Sequence, residues 1–518
     1  MKNLPFLTIL TFVPLFGGLA VIVLGRKNKE FARWLALVFA FLALALALTM
    51  WFRFDPASGE FQFSETHDWI GTLGIQYRVG VDGLGLLMLL LSALIVPMAI
   101  LASWRTEARA SLYFALILFL QAGLFGTFTA LNFFHWFLYW ELSLIPAFFL
   151  IRLWGGPART SAATQFFVYT MAGSVALLLA FLALYLATGT FDFTKLSDLG
   201  RNGLLEPALA AKLGWYSLTS SRLTLLIFGG AFLGFAVKVP LMPFHTWLPS
   251  AYAEAPTGTT MLLTGAMSKM GLYGFLRILL PIFPSQMRHV LTPLLWLAVV
   301  TIIVSASAAF AQRDLKRVLA YSSINHLGYC LLGIFAVLSS STLAAAPAVE
   351  KAAALNGVFL QMFNHGLTAA SLFWFVSLLE QRSGGLRGLD DFGGLRRVAP
   401  VFCGLMGIAL FASLGLPGLS GFIGEFLIFK GSFPLATWAA SLSVLGLLVT
   451  AVFILTILQR IFNGPLHEKW ANLPDLTTTE RVVVIPAIGL MLLLGLWPQL
   501  VLGLVNSTVL GMVNYLRF

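Results

Sequence analysis

Charge is what this chain has least of. Only 10% of its 518 residues are Asp, Glu, Lys or Arg, against 59% hydrophobic, too little charge to cover a soluble protein of this length. Cysteine is nearly absent. The two cysteines, Cys330 and Cys403, both fall inside apolar runs, which argues against a disulfide framework or a cysteine metal cluster. There is no P-loop, no GxGxxG after a strand, no CxxC and no HExxH. No cofactor or metal is therefore expected on this chain, and any redox step belongs on another one.

The net charge of +11 suggests nucleic acid at first, but no basic tail or compact basic domain carries it. Lys and Arg sit mainly in short connections between apolar blocks, the positive-inside pattern. Asn506-Ser507-Thr508 matches a glycosylation acceptor, but its place at the end of an apolar run makes it a chance match.

What is present is a series of apolar blocks, each near the length a bilayer requires. They predict an all-α polytopic membrane protein with about 14 transmembrane helices. The blocks lie near 4–24, 31–52, 82–103, 111–130, 133–152, 164–188, 222–246, 257–281, 290–311, 317–338, 353–380, 401–430, 436–462 and 482–505. The first is followed by "GRKNKEFAR" and no small-residue cleavage site, and is expected to be a retained span. Arg26, Lys27, Lys29 and Arg33 follow it. By alternation Arg105, Arg109, Arg152, Arg159, Arg313, Lys316 and Arg317 fall on the same side. That side is read as cytoplasmic, so both termini are expected outside. The long 189–221 connection, on the other side, obeys the rule weakly.

Two runs combine a Pro/Gly break with an ionisable residue: "GFAVKVPLMPFHTWLP" (234–249) and "ASLGLPGLSGFIGEFLIF" (412–429). They stand five spans apart, and an odd separation reverses topology. Spans 4–8 and 9–13 are therefore expected to be two inverted five-helix repeats, with helices 7 and 12 broken. The division of the single membrane domain, 1–518, becomes 1–110 (three N-terminal helices), 111–281, 282–465, and 466–518 (a C-terminal helix).

Four charges sit inside apolar runs: Glu141 in "FLYWELSLIPAFFLI", Lys238, Lys269 in "LTGAMSKMGLYGF", and Glu425. His245, His326 and His365 join them. A charge facing lipid costs about 2.5–3.5 kcal/mol or more, so all four should face the bundle interior, water or one another. One account is buried ion pairs that lock helices together. The other is proton movement: burial disfavours an ammonium, a nearby carboxylate restores it, and histidine passes protons on. His326 and His365 lie deepest and suit a relay. His245, between two prolines, suits a capping role equally well, and His135 an interfacial one. The small residues Gly265, Ala266, Ser268, Gly271 and Gly274 around Lys269 are expected to permit close helix packing.

At "YWELSLIP", "KVPLMPFHTWLPSAYAEAPTGTTMLL", "DLKRVLAYSSINHLGY" and "LPGLSGFIGEF" the sequence closely resembles the M-type (chain 4-like) antiporter-like proton-translocating subunits of respiratory complex I (NADH:quinone oxidoreductase). The resemblance covers nearly the whole chain. It implies fourteen helices, two inverted repeats, and a proton axis in which Glu141 pairs with Lys238 and Lys269 is the central lysine. His245, His326 and His365 would lie on or beside that axis, and Glu425 would be its terminal acid. A glutamate at 425, where the L and N types have lysine, and a chain ending soon after span fourteen both select the M type. The resemblance further implies NADH, FMN, iron–sulfur clusters and quinone on other subunits. It implies L- and N-type subunits as neighbours, contact with lipid, and a bacterial cytoplasmic membrane with periplasmic termini. Two readings compete: a subunit of a multisubunit sodium/proton antiporter or membrane-bound hydrogenase, and a non-translocating scaffold.

Overall fold

The computed structural model describes residues 4–214, 218–339 and 347–516; residues 215–217 of the long 189–221 connection lie outside it. Two helices open the chain, α1 (Phe6–Leu24) and α2 (Lys29–Arg53). Asn28 starts α2 by accepting from the amides of Glu30 and Phe31 at 2.9 and 3.1 Å, satisfying two donors a helix start leaves free.

An antiparallel hairpin follows, β1 (Gln62–Ile70) and β2 (Ile75–Val81), in the register Thr66↔Arg78 and His67↔Tyr77. It corrects a purely helical reading. Glu65 accepts from the Leu7 amide of α1 at 2.8 Å, and the Leu131 amide donates to Arg78 O at 2.9 Å. The hairpin therefore ties several helix ends on one face.

The bundle continues through α3 (Gly83–Ala102), α4 (Ala110–Thr129), α5 (Phe133–Trp154) and α6 (Arg159–Thr188). The long connection after α6 contains α7 (Phe193–Arg201) and α8 (Leu205–Leu213). Next come α9 (Ser220–Lys238) and α10 (Trp247–Glu254), then α11 (Thr257–Leu262), α12 (Ser268–Gly274) and α13 (Leu280–Ile282). Two π-helical turns, Leu263–Met267 and Phe275–Leu279, join the last three into one interrupted rod. The short α14 (Pro284–His289) leads into α15 (Leu291–Ala311), α16 (Leu315–Ala336) and α17 (Pro347–Arg382). The chain closes with α18 (Pro400–Leu414), α19 (Ser420–Leu435), α20 (Thr437–Ile457), α21 (Thr478–Leu496) and α22 (Gln499–Tyr515).

Among the described residues, twelve helices are long and apolar enough to cross a membrane. The protein is an all-α, multi-pass membrane protein that carries one β-hairpin among the described residues. Two of the expected spans are not in that set. The block 257–281 is cut by the π turns, and 401–430 is divided between α18 and α19. The expected span 482–505 is also two helices, α21 and α22, separated at Trp497-Pro498, so the region 466–518 holds two helices where one was expected. α3, α4, α16 and α17 are almost wholly enclosed, whereas α1, α2, α6, α20 and α21 leave an apolar face uncovered, as a lateral membrane surface requires.

Both breaks have a local cause. After Lys238 and Val239, Pro240 has no amide to continue the ladder. The freed groups find partners nearby: the Met242 amide donates to Thr301 Oγ1 of α15 at 3.1 Å, and Trp247 Nε1 donates to Val237 O at 3.0 Å. The second break is closed by Gly415 at φ +79°, a left-handed cap that glycine adopts without strain.

Candidate functional site

Lys269 is fully buried on α12, between the two π turns. Its Nζ lies 2.5 Å from Thr264 O, 3.4 Å from Ser268 Oγ and 2.8 Å from His365 Nδ1. The helices can approach this closely because two glycines face each other. A Cβ at Gly366 would stand 2.6 Å from Gly265 O, and Gly366 is the neighbour of His365. The expectation that small residues around Lys269 permit close packing is met at this point.

From His365 the series continues. Its ring centroid is 5.3 Å from that of His326. His326 Nδ1 lies 3.0 Å from Glu425 Oε1, at an angle too oblique for a hydrogen bond, and its Nε2 lies 3.2 Å from Ser413 Oγ. Glu425 is buried, and its Oε1 accepts from Gln361 Nε2 at 3.1 Å. Four of the seven expected residues, carried by α12, α17, α16 and α19, therefore form one file through the centre.

Each close pair in the file needs a proton between its members. An ammonium at Lys269 donates to His365 Nδ1 only if that nitrogen carries a lone pair, which places the ring proton on Nε2. His365 Nε2 has no protein partner. An imidazole nitrogen 3.0 Å from a carboxylate oxygen is favourable only when one of them is protonated. The arrangement is suited to handing protons along it.

Lys238 ends α9, buried, with its ammonium 4.8 Å from the centre of the Trp140 ring. Trp140 is held in turn by a 3.0 Å bond from its Nε1 to Ser174 Oγ. Among the described residues no ion pair within 4 Å joins Lys238 to Glu141. Glu141 is half-buried on α5 beside the exposed Leu138 and Ile145, and its Oε1 has no protein partner. His245 lies apart in the first break, half-buried, its ring 6.3 Å from that of Tyr321 and its Nδ1 unpartnered.

The sequence reading overlooked several groups. Arg277 interrupts the same apolar block as Lys269. It forms a buried ion pair with Asp82, which also caps α3 by accepting from the Gly85 amide at 3.0 Å. This pair floors a cavity of about 490 Å³ on the hairpin face, lined also by Arg78, Arg201 and Tyr515. At the opposite end Arg387 meets Asp314 at 2.6 Å, Glu254 at 3.3 Å and Glu380 at 3.5 Å, while Lys316 meets Glu380 at 2.6 Å. These were legible only as loop charges. Ser413 and Gln361 carried no sequence signal at all, since lone polar residues in an apolar helix are common.

The family model for NADH:quinone oxidoreductase/Mrp antiporter transmembrane segments matches residues 130–453, a stretch that contains all seven site residues. NADH-quinone oxidoreductase subunit M of Rhodobacter capsulatus is 36% identical over 97% of this chain and 94% of its own length. A chain of respiratory complex I from Thermus thermophilus superposes with a TM-score of 0.83 at 27% identity, covering 99% of this chain and 100% of that one. A chain of the Mrp complex from Dietzia covers 98% of this chain and 97% of its own, with a TM-score of 0.81. At 20% identity, that likeness shows the fold alone. By model, relative and fold together, the chain belongs to the M-type antiporter-like membrane subunits of NADH:quinone oxidoreductase.

Proposed function

We propose that this chain moves protons across the membrane within a complex I, through Lys238, Lys269, His365, His326 and Glu425, driven by quinone reduction on other chains. The observation that carries the reading is the close file of Lys269, His365, His326 and Glu425, with bond-length contacts at its two ends and neighbouring histidine rings between them. In it, Lys269 Nζ gives its proton to His365 Nδ1, and His365 releases one from Nε2 toward His326. A small turn of the ring or the carboxylate aligns His326 Nδ1 with Glu425 Oε1 and passes the proton; an N–H bond breaks and an O–H bond forms. Lys238 and His245 serve the loading side at the first break, and Glu141 sets the charge state of Lys238 from a distance. Work against the membrane potential is about 2.3 kcal/mol per 100 mV for each proton, a size that moving one buried charge relative to another supplies.

In this reading residues 111–281 and 282–465 are the two inverted repeats, and the divided helices bring the spans to fourteen. The termini are periplasmic in a bacterial cytoplasmic membrane, and L- and N-type subunits flank the chain. NADH, FMN, iron–sulfur clusters and quinone are held by other subunits. The test is Lys269→Met and Lys269→Arg in the assembled complex, with protons pumped per NADH measured in sealed vesicles. Both should abolish pumping through this subunit, because a thioether carries no proton and a guanidinium does not release one. An assembled arginine variant that pumps normally would make Lys269 a fixed charge and overturn the path.

A further inference from the structure

Gln361 stands one turn before His365 on α17 and is buried, 2% exposed. Its Nε2 donates to Glu425 Oε1, the oxygen that also faces His326. The approach of α19 that permits this depends on Gly424, where a Cβ would stand 2.7 Å from Gln361 Oε1 and 3.1 Å from its backbone nitrogen. The second carboxylate oxygen is confined as well: a Cβ at Gly415 would lie 2.7 Å from Glu425 Oε2.

The terminal torsion of a glutamate is soft and roughly two-fold, so the backbone of α19 does not decide which way the carboxylate turns. The Gln361 amide does. An amide suits the task because it donates through nitrogen, accepts through oxygen and adds no charge to the file. Its Oε1 has no protein partner and is free for a second task.

We propose that Gln361 is the positioning residue of the terminal acid. While Glu425 is ionised, the amide nitrogen holds Oε1 toward His326. Once the proton has moved from His326 Nδ1 to Glu425, the amide turns over and its oxygen accepts the new O–H. This rests on the reading of Glu425 as the end of the path.

The experiment uses the assembled complex carrying Gln361→Met, Gln361→Glu or Gln361→Asn, alone and combined with Glu425→Gln. Protons pumped per NADH and the infrared carboxylate band that disappears in Glu425→Gln are the readouts. Gln361→Met keeps length and loses the amide; pumping should fall roughly tenfold, as loss of a hydrogen bond to a charged group implies. Gln361→Glu should fall further, because a second carboxylate repels the first. The Glu425 band should shift in Gln361→Met and in Gln361→Asn, whose amide is too short to reach, so the spectral test survives if one variant fails to assemble. In the Glu425→Gln background Gln361→Met should add nothing. An unshifted band, or additive losses in the double variant, would reduce Gln361 to packing and overturn the inference. Normal pumping by Glu425→Gln alone would instead sink the underlying path.

Discussion

The ionisable clusters around Lys269 and around Lys238 are built on opposite plans. Around Lys269, His365, His326 and Glu425 the groups sit close to one another, with 2.8 and 3.0 Å contacts at either end of the file. Around Lys238 the ammonium rests on an aromatic ring and its acid stands off, half-buried at the edge of α5. Groups in contact exchange protons; groups held apart influence each other through the field, and that influence changes steeply with small movements in a poorly hydrated interior. The first plan suits transfer and the second suits control. Both are afforded by the same device, a helix broken beside its charge.

If control acts at a distance, Glu141→Ala has the largest effect expected at the first cluster. Without that carboxylate the buried Lys238 has no acid to set its charge, so pumping in the assembled variant should be largely lost. Wild-type pumping there would leave Lys238 uncontrolled by Glu141 and erase the contrast. Gly366→Ala tests the contact plan. The new Cβ meets Gly265 O, α17 moves off, and the loss of the Lys269–His365 bond is worth about 1.5–3 kcal/mol. Pumping should fall by roughly tenfold or more, with retained pumping showing that direct contact is unnecessary.

Trp140→Leu removes the ring beneath Lys238. A cation–ring contact is worth about 0.5–1 kcal/mol when exposed and about 2 kcal/mol or more when desolvated, so a loss of between severalfold and about thirtyfold is expected, measured as the initial pumping rate. The smallest effect belongs to the hairpin tie, which lies outside both clusters. Burial pushes the Asp192 carboxyl up, but bonds from Thr194, the Lys195 amide and Arg78 outweigh it and hold its pKa below the usual value. A depressed folded-state pKa contributes stability above the ordinary Asp range and loses it as pH falls through the folded value. Thermal stability of the complex between neutral and acidic pH should therefore decline less in Asp192→Asn than in wild type, with pumping at neutral pH unchanged. An equal decline would show that the tie contributes nothing.

Much of this was legible in the chain itself. Apolar length and scarcity of charge determine a multi-pass bundle, because lipid offers backbone groups no partner outside a helix. Lys238 before Pro240, and Glu425 after Pro417 and its glycines, marked both breaks, since proline and glycine act on the backbone where they stand. The buried charges were visible because each interrupts an apolar run. Arg277 was visible on the same grounds and was passed over, as was the apolar/polar alternation of "IQYRVGV", the one strand signal of the hairpin. Tertiary structure alone decided which of these residues meet. Lys269 and Glu425 are more than a hundred and fifty positions apart in sequence; they share a file because Gly265 and Gly366, and Gly424 and Gln361, let three helices pack almost backbone to backbone. The same packing leaves Glu141 at an edge, short of Lys238. A helix's own sequence dictates which face is apolar, but the distance between charges on different helices depends on how all their faces fill one volume at once.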